Sequence, residues 1–538
     1  MGNRQNRSTE AAMRITIEAV RAAWARDGTV LLKMLDIDGA FNEVPHERLG
    51  EMAAAQRFPP WLCSWLASFL EGRTARLRFD GETSPRRPVR SGVPQGSPLS
   101  PILLILYIAS LYRALQDVEG TITVGFADDT NIISIGRDTE QARGRLETAW
   151  KVCKDWSTKS GLRFNPAKTE LIHFTKERNP TPVRIRIENT TIRSRDHARF
   201  LGIWLDRKLN WRKHTQEMLK KAKTQVRALT VSATATWGCD LFRAREIYTK
   251  VIRAALVYGC PAYHTPTENK KIHPPARAFA KIQSDALRRV LGAYKATPIR
   301  MLETEAAIPP IDLYMTQLIT LSERRLVNGE IAPLIRAAST LAARTLKRRW
   351  RKRTYRKPDE ERQAWMQQNV NSAEWPMEEV WRSRWEPAVG SIRRRRHRPT
   401  DPADQEFIGA DKKTVRKRHT SMKKHESSVL TQIRTGRIGY RAFLFHRNVP
   451  EVATPYCRCG TGRQTAEHMV AWCPELNAAR TDLPFPLSNR AEMIQAVDRG
   501  EPARSTVRLL LDSGTLQQFT LAEQLAKRAD QRQTWGPQ

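Results

Sequence analysis

Thr121 to Gly136 reads TITVGFADDTNIISIG, two runs of β-branched and apolar residues around Asp128 and Asp129. The alternation predicts a β-hairpin with two adjacent carboxylates at its turn. Two like charges at the tip of an apolar hairpin are costly unless a cation neutralises them. A divalent metal ion is the natural partner.

Working outward, the hairpin needs strands beside it. Val30 to Leu35 reads as one, delivering Asp36 and Asp38 at its carboxyl end within LLKMLDIDGAFNEV. Lys168 to Thr175 reads as another, with shorter strands at Val183 to Ile187 and Phe200 to Leu205. Asp138 to Ser160 has helical spacing, with Ala142, Leu146, Ala149, Cys153 and Trp156 on one face. Glu10 to Trp24 reads as a helix with Ser8 or Thr9 as its cap. His46 to Leu70 reads as helix broken near Phe58-Pro59-Pro60, with Trp61, Trp65 and Phe69 expected in the core. Arg73 to Pro88 alternates around an Asp80-Gly81 turn. Ser91 to Pro101 (SGVPQGSPLSP) is a Gly/Pro loop, with Ser97 or Ser100 as a cap for the apolar helix that follows. The order predicts an α+β fold, an antiparallel sheet with helices on one face.

Lys plus Arg is 91 against 56 for Asp plus Glu, a net charge of +35 over 538 residues, which favours a polyanionic partner such as nucleic acid. Basic runs cluster at Lys347 to Lys357, Arg393 to Arg398 and Lys412 to His419. They read either as solvated basic faces and import signals or as phosphate contacts. The longest apolar run, Pro101 to Leu111, is shorter than the roughly 20 residues a membrane span requires. The start lacks the apolar core of a signal peptide, and a reducing intracellular compartment is expected.

Two constellations carry chemistry. If neighbouring strands bring Asp36 to Asp128 and Asp129, three oxygen donors suit Mg²⁺ or Mn²⁺. Cys457, Cys459, His468 and Cys473 form Cys-x-Cys-x8-His-x4-Cys, ligand types that suit a structural Zn²⁺, with buried or unpaired thiols as the other reading. Cys63, Cys153, Cys239 and Cys260 lie in apolar surroundings and read as packing residues.

Asp36-Ile37-Asp38-Gly39-Ala40-Phe41, then Ser91 to Pro101, then Phe126-Ala127-Asp128-Asp129, resemble the three central palm motifs of reverse transcriptases. Gly161 to Asn165 with Lys168-Thr169-Glu170 resembles the next motif, and Phe200-Leu201-Gly202-Ile203 the primer grip. The version resembles that of non-LTR (LINE-type) retrotransposons, with Leu256 to Gly259, Ala296 to Pro298 and Glu303 similar to fungal-type thumb and connection segments.

The resemblance implies a right-hand palm with a helical thumb, and an RNA-directed DNA polymerase using Mg²⁺. Its partners would be an RNA template, a DNA primer or target and dNTPs, with no membrane and a nuclear location. Asp36, Asp128 and Asp129 would hold the metal, and Lys168 would protonate pyrophosphate. Phe41 would exclude a 2′-hydroxyl. Gln95, Gly96, Ser97 and Pro98 would line the nucleotide and template, and Phe200, Leu201 and Gly202 the primer grip. For Lys168, an exposed lysine opening a strand is the alternative.

The expected division is a remnant before the palm at 1–29, palm at 30–208, thumb at 209–346, basic linker at 347–429, Cys/His segment at 430–500 and helical tail at 501–538. Gly2-Asn3-Arg4 and Arg7-Ser8-Thr9 resemble the segment just before the first palm motif, implying that most of the fingers and the upstream endonuclease lie outside this chain. A nucleic-acid-binding remnant without catalysis is the competing expectation.

Overall fold

The structure is a computed structural model that describes residues 5, 7–266, 273–327, 329–346, 376–384, 412–481, 483, 485–498 and 500–534. The basic runs Lys347 to Lys357 and Arg393 to Arg398, and Gly2 to Arg4, lie outside the described residues. The chain divides into two compact units. The first comprises Met1–His214, Gly259–Thr265 and Leu318–Asn371, and the second comprises Thr215–Tyr258, Pro266–Gln317 and Ser372–Gln538.

The first unit begins with helix α1 (Thr9–Trp24), whose first turn is capped by Ser8 Oγ accepting from the Ala11 amide at 3.2 Å. Strand β1 (Thr29–Leu35) follows. Helices α2 (His46–Ala55) and α3 (Pro60–Leu70) flank the proline break. A double hairpin then pairs β2 (Thr74–Ala75) with β5 (Arg87–Pro88) and β3 (Arg78–Phe79) with β4 (Glu82–Thr83), turning at Asp80-Gly81. Next come α4 (Ser100–Gln116), β6 (Thr121–Phe126), β7 (Asp129–Gly136), α5 (Thr139–Ser160) and β8 (Glu170–Phe174). Two hairpins complete the strands, β9 (Arg184–Ile187) with β10 (Thr190–Arg193) and β11 (His197–Phe200) with β12 (Ile203–Asp206).

The central sheet is antiparallel in the order β6-β7-β1-β8. β1 lies inside it, and every residue from Val30 to Leu35 is buried. Leu31 and Leu35 join the core formed by α4 and α5 through Leu104, Ile108, Leu146, Ala149 and Cys153. The alternate residues Val30, Leu32 and Met34 point to the opposite face, where α1 packs against β1, β6 and β7. Helices therefore cover both faces, where one was expected. A strand buried on both sides is apolar throughout, as β1 is except at Lys33. The α5 face is the expected one, with Asp138 accepting from the Gln141 amide as its cap.

Three further expectations change. Trp61 and Trp65 lie outside the core, with the Trp65 ring stacked on Phe69 at 5.5 Å, because α3 is apolar on both faces and buries the one carrying Leu66 and Leu70. Neither serine caps α4 through its own side chain. Instead Ser97 Oγ accepts from the Leu99 amide and Ser100 Oγ donates to the Pro94 carbonyl. Phe200 to Leu205 is not one strand: Leu201-Gly202, both at positive φ (+46° and +86°), form the two-residue turn that joins β11 to β12.

In the second unit the helices Lys424–Arg434 and Gly500–Asp512 share one core with Cys457, Cys473, Met469 and Phe519. Residues 412–429, inside the stretch read as basic linker, are largely helical there. Arg418 and His419 are buried rather than solvated. Arg418 pairs with Glu305 and Asp498, and Arg434 holds Glu305 through Nε at 2.9 and 3.0 Å. Buried guanidinium groups need such carboxylate partners to offset their desolvation. No helix among the described residues is long and apolar enough to cross a membrane.

Lys33 is the exception within β1. Its Nζ lies 4.2 Å from the centre of the Trp150 ring, with no hydrogen-bond partner among the described residues. Burial pushes the ammonium down from 10.5 to about 8, against smaller opposing effects of Cys153 and Glu147. Unfolding restores the ordinary value, so the unfolded chain binds more protons between pH 8 and 10.5 and stability rises with pH across that window. At neutral pH the penalty is about 3 kcal/mol. Lys33→Met should raise the melting temperature by several degrees at pH 7 and lose that advantage as pH approaches 10.5, as thermal unfolding across pH will show.

Candidate polymerase and metal sites

The register of the central sheet assembles the carboxylates. β1 pairs with β7 from Thr29↔Gly136 to Leu35↔Thr130, so Asp36 leaves β1 beside Asp129, where the β6–β7 hairpin turns. Phe126 pairs with Asp129 across a two-residue turn, Ala127-Asp128. Ala127 occupies the left-handed region at φ +53°, a conformation that costs a residue bearing a Cβ on the order of 1 kcal/mol and that concentrates at functional sites. Beneath the tip, a Cβ on Gly125 would collide with the Tyr112 ring, and the absence of one lets the Tyr112 hydroxyl reach within 3.4 Å of Thr130 Oγ1. Burial, then repulsion from Asp128 and Asp36, pushes the Asp129 carboxyl up to about 6. That cost is what a cation would relieve.

A second segment closes on Asp36 from β8's side. The Asp38 amide donates to the Arg163 carbonyl at 2.8 Å and the Asn165 amide to the Asp36 carbonyl at 2.9 Å. Asn165 Oδ1 accepts from the Ala167 and Lys168 amides, and its Nδ2 donates to Asp38 Oδ1 at 3.4 Å. That cap opens a short turn, Pro166–Lys168, from which Lys168 Nζ donates to Asp36 Oδ2 at 3.0 Å. This hydrogen bond holds the exposed ammonium above the usual lysine range. The pair is on the surface, so its worth to folding is small. Its position is what matters, since it places a proton donor against the carboxylates.

Phe41 is half-buried against the α4–α5 core, and its carbonyl accepts from the Val93 amide at 2.7 Å. The Gly92 amide donates to the Val44 carbonyl at 2.7 Å, and Gln95 Nε2 donates to Asn42 Oδ1 at 3.2 Å. Gly92 is at φ +83°, and a Cβ there would lie 2.6 to 2.8 Å from the Asn42 backbone. The loop carrying Gln95, Gly96, Ser97 and Pro98 is thereby clamped to the turn carrying Phe41. Gln95, Gly96 and Pro98 are exposed, free to meet a ligand. Two residues the sequence reading missed hold the clamp. His46 Nε2 and Arg73 both hydrogen-bond the Gly92 carbonyl. Nothing in their spacing signals this, because the contact depends on the fold. Phe200, Leu201 and Gly202 lie on the separate β11–β12 hairpin, outside the central sheet.

In the second unit the donor atoms of Cys457, Cys459, His468 and Cys473 all lie within 4.8 Å of one another. Among the described residues this is the one set of three or more such donors gathered so tightly. Cys457 and Cys473 sulfurs are 3.9 Å apart, and Cys459 Sγ is 3.3 Å from His468 Nε2. A turn closed by the Cys457 amide on the Gly462 carbonyl presents the first two cysteines. The turn His468–Trp472 presents the other two ligands, the Cys473 amide donating to the His468 carbonyl at 2.7 Å. Hydrogen bonding from Thr461 draws the Cys459 thiol down to about 6, while burial pushes Cys473 up to about 12. Three sulfurs and one imidazole, with no fifth such donor gathered among the described residues, fit a closed tetrahedral metal centre.

Residues 1–205 match the family described as reverse transcriptase (RNA-dependent DNA polymerase). Over 282 residues the chain is 27% identical to the RNA-directed DNA polymerase from mobile element jockey of Drosophila melanogaster, covering 52% of this chain and 30% of that protein. It is 27% identical over 261 residues to the probable RNA-directed DNA polymerase from transposon X-element of Drosophila melanogaster, covering 48% and 28%. Apo telomerase from Candida tropicalis is 13% identical with a TM-score of 0.29, over 62% of this chain and 57% of that one. The chain thus spans less than a third of the length of these curated relatives. Residues 1–205 are a reverse transcriptase domain of the non-LTR, LINE type.

Proposed function

We propose that this chain carries out template-directed DNA synthesis on RNA, joining a dNTP to a primer 3′-hydroxyl with release of pyrophosphate. The observation that carries the reading is the convergence of Asp36, Asp128 and Asp129 at adjoining strand ends, where burial and mutual repulsion raise the Asp129 carboxyl to about 6. Asp36, Asp128 and Asp129 would hold Mg²⁺ or Mn²⁺, hard cations that prefer oxygen donors. Bound there, such ions favour ionisation of a 3′-hydroxyl and neutralise charge on the departing pyrophosphate.

The chain's own groups do the rest. Lys168, held at 3.0 Å from Asp36, supplies a proton to the pyrophosphate oxygen. Phe41, anchored through its carbonyl on Val93, stands against the sugar and excludes a 2′-hydroxyl by bulk. Gln95, Gly96, Ser97 and Pro98 run along the nascent pair and template, their loop clamped through Gly92. Phe200, Leu201 and Gly202 steady the primer from a hairpin tip. Cys457, Cys459, His468 and Cys473 would hold Zn²⁺ as a structural ion joining two turns of the second unit's core.

Primer extension on an RNA template with Mg²⁺ tests the reaction. Asp128→Ala/Asp129→Ala should lower product by at least about 100-fold, and equal product from the variant would defeat the proposal. Lys168→Met should lower kcat by about 100-fold with little change in KM, read from single-nucleotide incorporation. Metal analysis of the full chain should find one zinc, lost together with thermal stability in Cys457→Ser; a chain devoid of zinc and indifferent to that substitution would reject the site.

A further inference from the structure

The β9–β10 hairpin has no part in the chemistry above, and its sequence is patterned for two different surroundings. β9 reads Arg184-Ile185-Arg186-Ile187, alternately exposed and buried. Ile185 and Ile187 join the core that holds Leu146, Ala149 and Cys153 of α5, and Ile192 of β10 packs against it. Register then fixes the other face. Arg184 pairs with Arg193 and Arg186 with Thr191, with Ile185 and Ile192 paired between them. Directly paired residues share a face, so the three arginines and Thr191 stand together on the side that looks away from the core, and all four are exposed.

That arrangement is unfavourable on its own. Like charges directly opposite each other on an antiparallel pair, with Cβ atoms about 5 Å apart, destabilise the pairing. Nearby cations are neutralised, Arg195 by Glu170 and Arg207 by Asp196. Arg184, Arg186 and Arg193 have no ion-pair partner among the described residues, and Arg186 Nε donates to the Glu188 carbonyl at 3.1 Å rather than to a carboxylate. A ribbon needed only for the fold would carry mixed charges or hydroxyls at these positions. Three guanidinium groups on one face suit a polyanion whose charges repeat along a line.

Shape selects the class of polyanion. The outward face carries no aromatic ring on which an unpaired base could stack. Nor does it carry a large apolar side chain to centre a protein interface. A two-stranded ribbon is an element that the major groove of B-form DNA admits, whereas the A-form groove is too deep and narrow for side chains to read.

We propose that the β9–β10 hairpin is a docking ribbon for double-stranded DNA, entering the major groove with Arg184, Arg186 and Arg193 on the phosphates and base edges that line it. The hairpin is a sheet of its own, apart from the central sheet whose strand ends carry Asp36 and Asp129, so this contact requires neither metal nor dNTP.

The test is fluorescence anisotropy of the full chain with a labelled DNA duplex, without dNTP, across a salt series. Arg184→Gln/Arg186→Gln/Arg193→Gln should weaken duplex binding by about tenfold or more and make the slope of log affinity against log salt shallower by about 2 to 3, one phosphate contact for each arginine. Its melting temperature should be unchanged or raised, because a like-charge contact is removed. A fall in melting temperature would assign the arginines to the fold and overturn the proposal. So would an equal loss of binding in Arg57→Gln/Arg113→Gln/Arg137→Gln, which removes the same charge from exposed positions elsewhere in the unit. An equal loss toward duplex RNA or single-stranded DNA would overturn it as well. The readout needs no catalysis, so a wild-type chain that docks DNA through this hairpin yet extends no primer would count against the polymerase reading alone.

Discussion

Three carboxylates held together against their own repulsion are the constraint around which the first unit is built. Bringing Asp36 to Asp128 and Asp129 requires a hairpin whose register cannot slip, because a one-residue shift would move Asp129 away from Asp36 and exchange the side chains packed on the two helix-covered faces. β1 supplies that certainty. It is paired on both edges and buried on both faces, so the position of Asp36 is settled by the core rather than by the loop that contains it. The strain at Ala127, the missing Cβ at Gly125 and the raised Asp129 carboxyl are local costs that the rest of the sheet sustains. Stability is spent at one edge and recovered in the interior.

Much of this was legible beforehand, for identifiable reasons. Strand alternation in Thr121 to Gly136 and helical spacing in Asp138 to Ser160 are periodic signals, and the structure has both elements within a residue or two of the expected bounds. The readings that failed had no such signal. α3 carries large apolar side chains on both faces, so spacing could not say which aromatics face inward, and Trp61 and Trp65 face out. Leu201-Gly202 lacks the Asn-Gly signature of a two-residue turn, and the run through it read as one strand. Arg418 and His419 sat in a basic run that looked solvated, but the acids that receive Arg418, Glu305 and Asp498, lie 113 and 80 residues away in the chain.

The candidate sites divide the same way. Asp36, Asp128, Asp129 and the Cys/His set were visible as motifs, because their chemistry dictates residue type and order. The groups that position them were invisible. Tyr112, His46 and Arg73 act through hydrogen bonds whose partners only tertiary structure supplies. Lys168 is intermediate, since its place in a motif was readable while its hydrogen bond to a carboxylate 132 residues earlier was not.

Gly92 makes two functional loops mechanically one. With no side chain between them, the backbone at Gly92 rests directly on that of Asn42, and amide-to-carbonyl bonds on either side leave no freedom to slide. Any displacement of the turn bearing Phe41 must carry Gln95 with it, and any strand that shifts Gln95 must move Phe41. In the function proposed above, sugar discrimination and template alignment would be outputs of a single lever, with its pivot at Gly92.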